Sequence, residues 1–288
     1  MKIKYFILCL VLIITFPIYS QNFTGIRICI NPGHGGNDAN DRFIAATGYW
    51  ESEGNLVKGL ALRDLLVPLG ATIVMTRTLN RTEDDLPLSQ IVSIANANNV
   101  DFMHSIHSNA FNGIANYTLL LFRGHDNTPE QPRAKEMGAI MASEMFITNR
   151  TTGQHNRGDF TFYGNTSGLG VLRGLTMPGT LSEGSFHDYI PESFRLRNTV
   201  YLENEAWAMF RSFVRFFNLT PSTLGIVAGV LRDPSKLVTY YSTPSTNDRF
   251  LPLNNIQVTL NPGNRVYNGD TFTNGFFMFD SIDRKSVV

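Results

Sequence analysis

The sequence predicts an α/β protein: a mostly parallel twisted sheet flanked by helices, plus a small all-β sandwich-like module at the C-terminus. Two observations carry this. Strand-like apolar runs at Ile26, Ile73, Phe102 and Leu119 alternate with segments of helical spacing near Val57, Ile91 and Met137, the order that builds a parallel sheet through helical crossovers. Past Phe217 the alternation stops, and short strand-like runs separated by turn residues take over. A chain of 288 residues, 43% hydrophobic and 17% charged, can bury one sizeable core and leave room for a small second domain.

The elements follow in order. Ile26-Arg27-Ile28-Cys29-Ile30 alternates β-branched residues with others and reads as a strand that ends at Asn31-Pro32-Gly33-His34-Gly35-Gly36. The turn delivers His34 to the rim of the sheet, where open α/β folds carry their chemistry. Glu51 then precedes Leu56, Val57, Leu60, Ala61, Leu65 and Leu66 at helical spacing, a segment that Pro68 and Gly70 close. A carboxylate suits that helix start electrostatically. Leu88, Ile91, Val92 and Ala95 form the apolar face of a second helix. The run from Asp101 to Asn109 reads as a strand whose polar end carries His107. A helix from Pro191 to Phe217 is expected to close the domain, and Asn218-Leu219-Thr220-Pro221-Ser222 reads as a polar linker.

His34, Glu51 and His107 make a set of two imidazoles and one carboxylate. Catalytic zinc takes three nitrogen or oxygen ligands and leaves a fourth position for water, whereas structural zinc is closed by four ligands rich in cysteine. With only Cys9 and Cys29, the chain has neither a thiolate zinc site nor a disulfide scaffold to offer.

Pro32-Gly33-His34-Gly35-Gly36, Glu51-Ser52-Glu53-Gly54-Asn55-Leu56 and Ser105-Ile106-His107-Ser108-Asn109, in that order, resemble the motifs of zinc-dependent N-acetylmuramoyl-L-alanine amidases, the type 3 family that cuts bacterial peptidoglycan. The resemblance continues through Asn156-Arg157-Gly158, Val171-Leu172-Arg173, Met177-Pro178 and Leu181-Ser182-Glu183, over roughly residues 25 to 217. It implies zinc as cofactor, His34, Glu51 and His107 as its ligands, and Glu183 as the catalytic carboxylate. The implied reaction is hydrolysis of the amide between N-acetylmuramic acid and the L-alanine of the stem peptide. Glu53 competes with Glu51, but the family's ligand stands four residues before an Asn-Leu pair, here Asn55-Leu56. His104 competes with His107, yet the two differ in strand parity and point to opposite faces. The chain departs from the pattern at Ile91, where many members have arginine. It departs again at Gly184-Ser185-Phe186-His187-Asp188, where a Gly-Phe pair and an asparagine are common. His187 is either an aid to proton transfer or, as the simpler expectation, an exposed loop histidine.

An amide needs an activated water and a proton for its leaving nitrogen, which the resemblance assigns to zinc and to Glu183. Lys2 and Lys4 ahead of the apolar run Tyr5 to Phe16, with Ser20 before Gln21, read as a signal peptide over residues 1–20. The protein is then exported, to the periplasm or beyond the cell. The alternative is an uncleaved membrane anchor, which the shortness of the run disfavours. With a formal net charge of +0 and no basic patch, nothing points to nucleic acid. The expected boundaries are a catalytic domain at 24–217, a linker at 218–223 and a β module at 224–288.

The tail, with Leu253-Asn254-Asn255 before a strand and Thr273 to Phe279 near the end, resembles the carboxypeptidase regulatory-like sandwich, here incomplete. Few contacts are expected to cross Pro221, so the tail should add nothing to the chemistry and little to stability. No wall-binding repeat appears, which leaves peptidoglycan capture to the catalytic domain, and an activator protein is a further partner that the resemblance allows. Two other classes stay open: a secreted zinc carboxypeptidase or endopeptidase with the same metal set, and a non-catalytic wall-binding protein lacking metal or base.

Overall fold

Six strands form the central sheet of the computed structural model, which describes residues 22–39 and 42–283. In chain order the elements are β1 (Arg27–Pro32), the short pair β2 (Phe43–Ile44) and β3 (Tyr49–Trp50), α1 (Glu51–Leu66), β4 (Thr72–Met75), α2 (Leu88–Ala97), β5 (Phe102–Asn109), β6 (Thr118–Phe122) and α3 (Pro132–Asn149). There follow β7 (Gln154–Gly158), α4 (Asp159–Tyr163), β8 (Gly179–Phe186), α5 (Ile190–Leu196) and α6 (Thr199–Phe216). The sheet order is β4-β1-β5-β8-β6-β7. Every neighbouring pair is parallel except β6 with β8, so the sheet is mixed but mostly parallel.

Both faces are covered, which is why β1 and β6 read as nearly continuous apolar runs. Ile28, Ile30, Phe102, Ile106 and Leu120 lie beneath α1, α3 and α6, among Leu62, Leu66, Met137, Met141, Met209 and Phe213. Cys29, Met103, Leu119, Leu121 and Leu181 face the other way, against Ile91 and Ala95 of α2 and the loop residues Val171 and Leu172. A fully buried side chain of this size contributes roughly 1.5–3 kcal/mol, so Phe213 is a principal anchor of α6. Its ring meets Phe102 edge-on at 5.7 Å. Leu88, expected on the buried face of α2, is instead 52% exposed at the helix start.

The single helix expected from Pro191 to Phe217 is two helices. Leu196 ends α5, and Asn198 caps α6 by accepting the backbone N–H groups of Val200 at 2.9 Å and Tyr201 at 3.3 Å. The cap turns the chain and gives α6 its own direction.

Beyond α6, β9 (Leu224–Val230), β10 (Arg232–Leu237), β11 (Phe250–Pro252), β12 (Gln257–Leu260), β13 (Arg265–Asn268) and β14 (Phe276–Asp283) pair as three antiparallel ladders, β9 with β14, β10 with β11 and β12 with β13. Contrary to the expectation of few crossing contacts, this region shares a core with the first. Phe276 and Met278 pack with Tyr49, Leu196, Tyr201 and Leu202, and the Tyr201 and Phe276 rings meet edge-on at 5.0 Å. Asp248 accepts from Arg195 at 2.8 Å and from the Tyr189 hydroxyl at 3.2 Å, both inside the protein. Packing does not stop at Pro221. No helix among the described residues is long and apolar enough to cross a membrane, and the leader expected over residues 1–20 lies outside them.

Candidate metal centre

The end of β1 sets His34. Gly33 passes so close to the His107 ring that a Cβ would stand 2.2 Å from two of its atoms, so any other residue there would displace the ring. His34 itself takes a left-handed backbone, φ 63°, at a cost of about 1 kcal/mol or more for a residue with a Cβ. Arg77 holds this turn. Its Nε donates to the Pro32 carbonyl at 2.8 Å, and its Nη2 donates to the carbonyls of Gly33 at 3.0 Å and Ser52 at 2.7 Å. One buried guanidinium thus ties the turn bearing His34 to the first turn of α1, which bears Glu51. Burial pushes Arg77 down to about 10, still cationic at neutral pH.

The structure brings His34, Glu51 and His107 together. His34 Nε2 lies 3.3 Å from Glu51 Oε2, and His107 Nδ1 lies 3.2 Å from Glu51 Oε1. The two rings stand nearly perpendicular, 4.7 Å apart, and one ligand atom from each of the three residues lies within 4.8 Å of the others. The Ser108 backbone N–H and Asn55 Nδ2 both donate to Glu51 Oε1, each at 3.0 Å. Burial works to raise the Glu51 carboxyl, but its contacts with His107 and His34 outweigh that and hold it well below the usual carboxylate range. Burial lowers His107, opposed by Glu51.

These donors fit a metal. Atoms bound to tetrahedral zinc at 2.0–2.1 Å stand about 3.4 Å from one another, close to the two contacts Glu51 makes. Two imidazoles and one carboxylate without thiolate suit zinc better than calcium or magnesium, which take oxygen ligands.

Glu183 lies beside this group. It is the register partner of His107 on β5 and of Leu119 on β6, so its side chain leaves the sheet on the same face as His107. Its Oε2 is shut away from solvent and makes no hydrogen bond. Burial, then the charge of Glu51, push its carboxyl well above the ordinary range, with Lys58 working the other way. The competing residues stand elsewhere. Glu53 is exposed and accepts from Asn37 Nδ2. His104 leaves the opposite face and is fully buried between the hydroxyls of Thr180 and Ser182, 3.0 and 3.1 Å away, where burial pushes it down to about 3.

His187 is not an exposed loop histidine. It is 2% exposed, because β8 runs on alongside β5: its backbone N–H donates to the Asn109 carbonyl at 2.7 Å, and its Nδ1 donates to the Ser108 carbonyl at 2.8 Å. Sequence reasoning also passed over Lys58 and Glu205, a fully buried pair 2.9 Å apart, with Lys58 donating to Ser108 Oγ at 2.9 Å. The available signal was positional. Lys58 falls on the same helical stripe as Glu51, Asn55, Leu62 and Leu66, all of them buried.

Comparison with known proteins fits this geometry. A family model described as N-acetylmuramoyl-L-alanine amidase matches residues 28–213. The N-acetylmuramoyl-L-alanine amidase CwlM of Bacillus licheniformis is 27% identical over 203 residues, 70% of this chain and 72% of that protein. A sporulation-specific N-acetylmuramoyl-L-alanine amidase of Bacillus subtilis (strain 168) is 25% identical over 197 residues, 67% of this chain and 69% of its own length. Among solved structures, the catalytic domain of CwlV, an amidase of the same name from Bacillus (Paenibacillus) polymyxa var. colistinus, aligns with a TM-score of 0.57 at 20% identity, over 68% of this chain and 99% of that one. The amidase from Clostridium difficile 630 aligns with a TM-score of 0.56 at 23% identity, over 69% and 98%. At such identities the structural likeness is one of fold.

Proposed function

The chain belongs to the N-acetylmuramoyl-L-alanine amidase family of peptidoglycan hydrolases, and from that premise we propose that His34, Glu51 and His107 hold a catalytic zinc ion while Glu183 handles the proton. One observation carries the reading: donors from a strand end, a helix start and a neighbouring strand converge within 4.8 Å, beside a half-buried carboxylate that is the register partner of one of them. Zinc, when bound, would supply a Lewis acid that lowers the pKa of bound water to about 7 and polarises the amide carbonyl.

The chain's own residues do the rest. Glu183, whose Oε2 has no partner within the protein, accepts the proton of the attacking water and returns it to the departing alanine nitrogen, since an amide cannot leave as an unprotonated anion. Ser108 and Asn55 orient Glu51 through Oε1. Arg77 and Gly33 keep His34 and His107 at their spacing. The product is an intact stem peptide with a new amino-terminal L-alanine. On this reading residues 24–217 are the catalytic domain, 218–223 a linker and 224–288 a β module packed on it. The protein acts outside the cytoplasm, where a leader over residues 1–20 would deliver it.

Elemental analysis tests the ligand set. The parent chain should carry about one zinc, His107→Ala should lose it, and His104→Ala should keep it. The reverse pattern would overturn the assignment.

A further inference from the structure

Phe111 is 78% exposed, the most exposed large apolar side chain among the described residues. It stands four residues past His107 on the loop that leaves β5. The loop is held. Asp188 Oδ2 accepts the backbone N–H groups of Phe111 and Gly113, each at 2.8 Å, and Asn112 Oδ1 accepts those of Ile114 and Ala115, each at 3.0 Å. His187, next in the chain to Asp188, bonds the carbonyls of Ser108 and Asn109, and its Nδ1 lies 3.8 Å from Glu51 Oε2. His187 and Asp188, where the chain departs from the family pattern, therefore clamp the backbone from Ser108 to Gly113 against the edge of the metal centre. An exposed aromatic ring on a hydrogen-bonded loop that continues from the strand of His107 is available to a substrate as a contact surface.

We propose that Phe111 is a specificity-determining residue of this amidase, the platform on which a sugar ring of the glycan strand rests its apolar C–H face. The inference builds on the peptidoglycan reading above and adds which half of the substrate this wall takes. No residue from Ser108 to Tyr117 is charged, so the segment offers no counter-charge to the carboxylates of a stem peptide. A flat aromatic face in a segment whose polar residues, Asn109 and Asn112, are neutral matches an uncharged, N-acetylated pyranose. Asp188 acts through Phe111 as a positioning residue.

Calorimetric titration with an oligosaccharide of four N-acetylglucosamine units tests this without requiring turnover. The parent chain should bind it, Phe111→Ala should weaken binding by about tenfold, and Phe111→Trp should restore it. Asp188→Ala should weaken binding as Phe111→Ala does, with Asp188→Asn, which keeps an acceptor oxygen, closer to the parent. The same oligosaccharide should inhibit wall hydrolysis by the parent chain more than by Phe111→Ala, while free stem peptide should inhibit both alike. Equal binding by the parent and Phe111→Ala, or no binding by the parent, would overturn the proposal. A parent chain that binds the sugar but releases no stem peptide would instead count against the amidase reading.

Discussion

Glu183→Gln is expected to slow wall hydrolysis by about a hundredfold or more while the protein keeps its metal and its fold. Glutamine preserves the shape of the side chain but cannot take up and return a proton. The substitution should be structurally mild, because β8 is held by ladders on both sides, to β5 and to β6. Oε2 has no hydrogen-bond partner that the amide would have to break. Release of stem peptide, zinc content and circular dichroism, measured on one preparation, separate the outcomes. An active Glu183→Gln protein would contradict the proton role. A folded but metal-free one would make Glu183 a ligand and reopen the role of Glu51.

Cutting the chain after Ser222 is expected to destabilise the remainder strongly, the reverse of what the linker composition suggests. The cut removes Phe276 and Met278 from a core that includes Tyr201 and Leu202. Two such side chains represent roughly 3–6 kcal/mol of burial, against a total stability of about 5–15 kcal/mol for a typical domain. It also strips buried Arg195 of Asp248, leaving Glu192 as its remaining ion-pair partner. The melting temperature should fall by about 10 °C or more, or the fragment should fail to fold. A truncated protein that melts within a degree or two of the full chain would show that the shared core contributes little.

Much of the site was legible because it sits where apolar runs end. β1, α1 and β5 announce themselves by period, and His34, Glu51 and His107 stand at their polar termini. β8 was harder to see. Gly179–Phe186 is rich in small and polar residues, and its Thr180 and Ser182 are buried through bonds to His104, so no hydrophobic alternation marks it. For the same reason Glu183 could be read as a loop residue when it is a strand residue. Lys58 went unremarked because its partner Glu205 lies far along the chain, and only the fold brings them together. The docking of the tail was illegible in principle: turn residues locate bends, while the pairing of Arg195 with Asp248 depends on which surfaces meet. The break at Asn198 did leave a signal, an asparagine directly before a helical run, which the apolar periodicity on either side obscured.

The most direct measurement is mass spectrometry of purified wall fragments after incubation with the full chain, with and without a chelator. Intact stem peptides bearing a new amino-terminal L-alanine, abolished by the chelator and restored by zinc, are the predicted result. Fragments cut within the stem peptide, or amidase products unaffected by the chelator, would contradict zinc-dependent hydrolysis at the bond between N-acetylmuramic acid and L-alanine.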